Sequence, residues 1–176
     1  SLDVKSYYSI MESSSFTTES MDTVAENILS LLSTAVQRRI MCDRTTESGV
    51  PAVGAYLSGG FDSSAIASLL SKIYPGQLET FSIGFKNAPD LIKARMVAEY
   101  IGSKHHEVVV TEDEMLEYLQ SVTVQIESPD VTTNRASSFM MKLSEYIRDN
   151  TDVIVVYSGE GSDELFGSYL YFHNAP

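Results

Sequence analysis

The sequence predicts an α/β fold: an open parallel sheet with flanking helices. Short strand-like runs alternate with helical stripes along nearly the whole chain, which implies parallel strands joined by right-handed crossovers. Two of those runs lead directly into polar, glycine-bearing turns, and open α/β sheets bind ligands beyond the carboxyl ends of their strands. No internal repeat or low-complexity segment argues for another architecture.

The elements follow in order. Residues 1–18 are polar and rich in Ser and Tyr, and read as a tail or linker ahead of one domain over 19–176. Across 19–41, apolar residues recur at Met21, Val24, Ala25, Ile28, Leu31, Leu32, Ala35 and Val36, one face of a helix. A polar loop covers 42–49, and a buried strand 50–57. Ile66, Leu69, Leu70 and Ile73 mark the next helix, stopped by Pro75-Gly76. A strand over 78–85 leads to a helix carrying Leu91, Ala94, Val97, Ala98 and Ile101, closed by Gly102. A third strand spans 105–110. Thr111 and Glu114 then have capping-box spacing ahead of Met115, Leu116, Leu119 and Val122. Ala136, Met140, Leu143 and Ile147 form a further stripe, and a fourth strand over 153–157 runs into the polar turn 158–164.

At 176 residues the chain is long enough for one domain with a sizeable core. Its 43% hydrophobic and 20% charged residues are ordinary for a globular protein, and no apolar run is long enough to span a membrane. Its first residues show no secretory signal pattern. With 24 acidic against 12 basic residues the net charge is −12. That balance disfavours nucleic acid as the main partner but not ATP, because a bound Mg²⁺ reverses the field locally. The single cysteine, Cys42, cannot form an internal disulfide, which fits a reducing, cytoplasmic setting. With no catalytic signature around it, Cys42 reads as a structural or incidental thiol.

In the first turn, "SGGFDSS" over 58–64, Gly59 and Gly60 let the backbone bend and approach a ligand closely. The following helix offers free N–H groups and a positive dipole end, which suit phosphate. Ser58, Ser63 and Ser64 add hydroxyls. Asp62 repels phosphate unless Mg²⁺ lies between them. An ordinary capped helix start, with Asp and Ser in cap positions, is the plain alternative; it accounts less well for the paired glycines beside three hydroxyls. A Walker A loop needs Gly-Lys-Ser/Thr, and the first lysine after the turn is Lys72. G-x-G-x-x-G and G-x-S-x-G are not matched either.

"SGGFDSS" resembles the pyrophosphate-binding loop of the N-type (PP-loop) ATP pyrophosphatases, S-G-G-x-D-S-S/T. These are adenine-nucleotide alpha-hydrolase-like proteins that cut ATP between its α and β phosphates and form an adenylate. With "NAPDLIKARMVAEYIGSKHHEV", "SPDVTTNRAS" and "VYSGEGSDELFGSYLYFHNAP", the chain resembles the synthetase half of the glutamine-hydrolysing asparagine synthetase family from about Glu19 to Pro176.

By that resemblance Ser58, Gly59, Gly60, Asp62, Ser63 and Ser64 hold the pyrophosphate part of ATP, with Asp62 close to Mg²⁺. Tyr56 and Leu57 offer backbone contacts to the nucleotide, Ile83 meets the adenine, and Ser158 and Gly159 complete the pocket. Asp163 suits ribose or metal-water contacts. Glu160 acts at the reacting centre where β-aspartyl-AMP forms, and Thr132 and Arg135 serve the aspartate-dependent steps. Acidic preference at a helix start is the plain alternative for Glu160, Asp163 and above all Glu164. For Arg135, which opposes the dipole at the expected start of a helix, the alternative is a surface pair with a carboxylate. His105 and His106, adjacent on a strand, point to opposite faces and read as packing or surface residues. His173 suggests no chemistry.

The implied reaction is ATP-dependent asparagine synthesis. Aspartate is adenylated with release of pyrophosphate, then aminated by ammonia that a glutaminase domain, absent from this sequence, draws from glutamine. A related adenylating amidotransferase such as β-lactam synthetase, or a non-catalytic adenine-nucleotide-binding module, are the alternatives. tRNA-lysidine synthetase shares the loop, but the acidic balance speaks against an RNA partner. Phe61 stands for the family's more usual Leu, and Pro129 for its common Tyr; residues 44–49 lengthen the approach to the first strand. The sequence starts with Ser and stops at Pro176, so the expectation is a fragment: the nucleotide-binding core of the synthetase domain over 19–176, its C-terminal remainder absent, inactive alone. A homo-oligomer remains open.

Overall fold

A computed structural model describes residues 5–6, 17–170 and 172. Most of the expected tail and His173 lie outside the described residues. The chain divides into two units, 1–34 and 35–176. Most of α1 (Met21–Arg39) belongs to the first. Ser20 starts that helix by accepting a hydrogen bond from Thr23 N at 3.2 Å. Met21, Ile28 and Leu31 of its apolar stripe are exposed, and Val36, within the second unit, is buried.

The second unit carries β1 (Val53–Tyr56), α2 (Phe61–Ile73), β2 (Glu79–Phe85), α3 (Pro89–Ile101), β3 (Lys104–Val110), α4 (Glu112–Ile126), α5 (Val131–Asn150), β4 (Val155–Tyr157) and α6 (Ser162–Phe166). The 4-stranded sheet is parallel throughout, in the order β3-β2-β1-β4. Two strands begin later than their apolar runs suggest. Pro51 bridges antiparallel to Thr45 instead of opening β1, since proline has no N–H for a ladder. Ahead of β4, the N–H groups of Ile154 and Val155 both converge on Ala52 O, which delays regular pairing to Val155.

Alternation along β1 builds a core on each face of the sheet. Val53, Ala55 and Leu57 pack with Ala67 and Leu70 of α2 and Ala94 and Ala98 of α3. Tyr56 joins Phe81, Ile83, Val156, Leu143 and Ile147 on the face covered by α5. Leu57, Leu70 and Phe81 are fully buried, each such side chain contributing about 1.5–3 kcal/mol. The expected stops and starts are present: Gly102 ends α3 in the left-handed region, and Thr111 and Glu114 form a reciprocal capping box at α4. Among the described residues no helix is long and apolar enough to cross a membrane.

The chain steps outward from β1 through β2 to β3, then returns to lay β4 on the other side of β1. That reversal puts the topological switch point between β1 and β4. Both glycine turns leave the sheet there.

Candidate functional site

Leu57 N donates to Phe81 O at 2.8 Å, carrying the ladder one residue past β1 and setting where the first turn begins. Gly59, at φ +76°, lies against α3: a Cβ there would stand 2.4 Å from Lys93 Cβ and 2.5 Å from Ala94 N. Both the dihedral and the contact require glycine. Ser63 Oγ accepts from Ser58 N at 3.2 Å and lies 2.9 Å from Ser58 Oγ, which in turn accepts from Gly60 N at 3.3 Å. Ser64 Oγ donates to Gly60 O at 2.6 Å.

The N-cap of α2 is Gly60, and no side chain caps it. Asp62, Ser63 and Ser64 therefore sit inside the first turn of the helix, and the plain capped-helix alternative does not describe them. The hydroxyls brace the loop. The first N–H groups of a helix have no intrahelical partner, so a helix start without a capping side chain keeps donors and a positive dipole end for an anion.

The second turn closes on the first. A Cβ on Gly159 would stand 2.7 Å from both Asp62 C and Ser63 N, so the chain passes directly over that peptide. Ser162 Oγ donates to Asp62 Oδ1 at 2.8 Å. Ser158 Oγ accepts from Glu160 N at 3.1 Å. Ser162 was not among the residues the sequence singles out. Its only signal is a hydroxyl beside glycines in a turn, and its partner becomes visible when β4 lies beside β1.

The other expected residues fall around this pair of turns. Leu57 is buried toward α2 and α3, and Tyr56 OH lies 3.3 Å from Ser144 Oγ, so both side chains leave the strand end as backbone. Ile83, near the end of β2, packs on the Phe81 cluster. Asp163 accepts from the Ser168 hydroxyl, and Glu164 from Tyr169 OH at 2.7 Å; both carboxylates close their own short segment. Glu160 is exposed and lines a cleft of about 660 Å³ with Ile126, Ala136, Ser137, Met140 and Ser144. A larger cleft, about 890 Å³, runs beside the start of β4, where Arg44, Glu47, Arg148 and Asp152 line it.

Thr132 and Arg135 are exposed and make no side-chain hydrogen bond or ion pair among the described residues. The structure does not join them to the glycine turns. Arg135 stands a full turn inside α5, not at its start. Asp130 already caps that helix, accepting from Thr133 N at 2.7 Å and Thr133 Oγ1 at 2.8 Å. The conflict between Arg135 and the helix dipole is thus answered by a residue of the chain itself. The expected alternative, an Arg paired with a carboxylate, is not found among the described residues either.

His105 and His106 do face opposite ways. His105 lies 3.0 Å from each of Thr80 Oγ1 and Ser82 Oγ, and burial pulls its pKa down. His106 stacks on Phe81 and reaches Glu79 Oε2 at 2.7 Å. Among the described residues no group of three or more His, Cys, Asp or Glu side chains is placed to hold a metal ion.

A family model described as asparagine synthase matches residues 27–176. Glutamine-hydrolysing asparagine synthetase of Cricetulus griseus is 47% identical over 161 residues, and that of Homo sapiens 45% over 163. Each match covers 89% of this chain, which spans only 28% of the length of those relatives. Among solved structures, an NH3-dependent NAD synthetase from Campylobacter jejuni is similar with a TM-score of 0.51 at 15% identity, covering 88% of this chain and 63% of its own. An NMN synthetase from Francisella tularensis gives 0.51 at 18% identity, covering 88% and 60%. These two likenesses place the fold, a parallel α/β sheet with flanking helices.

Proposed function

The chain belongs to the asparagine synthase family, and from that premise we propose that it is the ATP-binding core of an enzyme that makes asparagine from aspartate, ATP and ammonia. The observation that carries the reading is the meeting of two turns at one switch point, with Gly159 over the Asp62–Ser63 peptide and Ser162 bonded to Asp62. Ser58, Gly59, Gly60, Ser63 and Ser64 then cradle the pyrophosphate of ATP, aided by the uncapped start of α2. Backbone at Tyr56 and Leu57, with Ile83, Ser158, Gly159 and Asp163, completes the nucleotide pocket.

The residues fit Mg²⁺, which prefers one or two carboxylates together with phosphate and water oxygens to an all-protein cage. Asp62 supplies one such carboxylate: Ser162 engages Oδ1, and Oδ2 has no hydrogen bond among the described residues. Bound there, the ion would offset the negative charge of the phosphates.

In the proposed first step a β-carboxylate oxygen of aspartate bonds to the α-phosphorus of ATP as the bond to the bridging oxygen breaks. Pyrophosphate leaves and β-aspartyl-AMP remains. Ammonia then attacks the acyl carbon, loses a proton and expels AMP. Bringing two anions together is the difficulty, so positioning and charge neutralisation carry most of the rate. Glu160, exposed beside the cleft against α5, is the residue we assign to the reacting centre. Thr132 and unpaired Arg135 are assigned to the aspartate side. Glutaminase-derived ammonia and a cytoplasmic setting complete the proposal, the latter supported by the free thiol of Cys42.

Calorimetry with ATP and Mg²⁺ tests the site: Asp62→Ala should weaken binding at least about tenfold, the scale of a lost charge interaction, and equal affinity would remove Asp62 from it. In a protein of the relatives' full length, Glu160→Ala should cut aspartate-dependent pyrophosphate release about 10²–10³-fold. Unchanged release would take Glu160 out of the chemistry, and release indifferent to aspartate would point to another carboxylate substrate.

A further inference from the structure

We infer that Ser162 is a positioning residue for the Mg²⁺–pyrophosphate site: its hydroxyl aims the Asp62 carboxylate and ties the two glycine turns into one binding surface. The inference rests on the ATP reading above and goes beyond it, since neither turn by itself explains how a lone carboxylate is oriented.

Three observations carry it. First, the bond is the one side-chain hydrogen bond between the turns among the described residues, 2.8 Å from Ser162 Oγ to Asp62 Oδ1 across 100 positions of sequence. Second, it is partly buried, where a charge-assisted hydrogen bond is stronger than one bathed in water. Third, Gly159 holds the second turn in van der Waals contact with the Asp62–Ser63 peptide, so Ser162 is delivered to a fixed distance and does not reach for it from a free loop.

The consequence for chemistry is directional. A carboxylate with neither oxygen held rotates freely about its Cβ–Cγ bond and must be ordered by the ligand. With Oδ1 engaged by Ser162, Oδ2 is the carboxylate oxygen left to meet a cation, and the cost of ordering the group has been met during folding. Asp163 and Glu164 accept from hydroxyls of their own segment, Ser168 and Tyr169, and neither bond joins the two turns.

The test compares wild type, Ser162→Ala, Ser162→Thr and Ser162→Val by calorimetry, with ATP in excess Mg²⁺ and again with ATP in a metal chelator. Thermal melts without ligand accompany each. Loss of the hydroxyl in Ser162→Ala and Ser162→Val should weaken ATP·Mg²⁺ binding about tenfold, the low end for a hydrogen bond to a charged group. Affinity for metal-free ATP should stay within about twofold, and Ser162→Thr should recover wild-type Mg²⁺ dependence. The Thr and Val variants are nearly isosteric, so their difference isolates the hydroxyl even if Ser162→Ala folds poorly. Equal losses with and without Mg²⁺ would show that Ser162 only shapes the turn, and no loss in either variant would also overturn the inference. If wild type itself fails to bind ATP·Mg²⁺, the nucleotide reading falls and the inference with it; wild-type binding with indifferent variants sinks the inference alone.

Discussion

Two glycines, one in each turn, are not equally replaceable, and the difference says how the turns meet. At Gly60 an added Cβ meets only Ser58 Oγ, at 3.3 Å, with an ordinary φ of −71°. At Gly159 it meets backbone atoms at 2.7 Å, which cannot swing aside. Gly159→Ala should therefore lower stability by about 1–3 kcal/mol, the scale of overpacking, and weaken ATP·Mg²⁺ binding, whereas Gly60→Ala should be milder in both. Urea denaturation and calorimetry on the two variants check the order; a milder Gly159→Ala would mean that the turns do not pack together. At this scale the sequence was informative about residue types and silent about pairs. The SGGFDSS and SGEGSDE turns were legible because glycine, hydroxyl and carboxylate each have a restricted set of uses. That Ser162 meets Asp62 was not, because a contact across 100 positions has no local signature.

Two helix starts in this chain, those of α4 and α5, involve side chains whose ionisation the fold perturbs. Asp130 caps α5 and Glu114 reciprocates the cap of α4, and in each case hydrogen bonds from backbone N–H and then hydroxyl groups, of Thr133 and of Thr111, hold the carboxyl below its usual range. A carboxyl whose folded pKa is depressed stabilises the fold at pH above its unfolded value, about 4. That contribution is lost as pH falls through the folded value. Asp130→Asn keeps a capping oxygen and removes the titration, so stability near pH 7 should change little while the acid limb becomes shallower. Unfolding midpoints at pH 7 and pH 3 test this, and an unchanged acid limb would deny Asp130 its part in it. Elements of this kind were read well wherever a cap or stop residue marks them, as at Thr111 and Gly102. Apolar runs marked the strands less sharply, since hydrophobicity extends past the paired residues at Pro51 and Val153. The same limit applies to α1, where periodicity identified a helix but not which residues of its stripe are covered. It applies also to Arg135, whose place in α5 depends on Asp130 being the cap.

For the molecule as a whole, a ligand that sits between β1 and β4 binds only the folded sheet, so it should stabilise by mass action. ATP with Mg²⁺ at about 100 times its Kd contributes about 2.7 kcal/mol, or about 5–10 °C in Tm for a domain of this size. A thermal melt with and without the ligand measures it, and no shift at saturating concentration would argue against a pocket at the switch point. The switch point itself was foreseen in kind, as two glycine turns on strand ends, but strand order is a property of the assembled sheet and no segment encodes it alone. That assembly also has a history. The first turn is made before β2 and β3 are, whereas β4, a strand of only 3 residues, arrives last in the sheet and brings Gly159 and Ser162 with it. During synthesis the chain therefore owns half a pocket for most of its emergence. Under the ATP reading, both halves of the pocket come together only where that short edge strand pairs with β1.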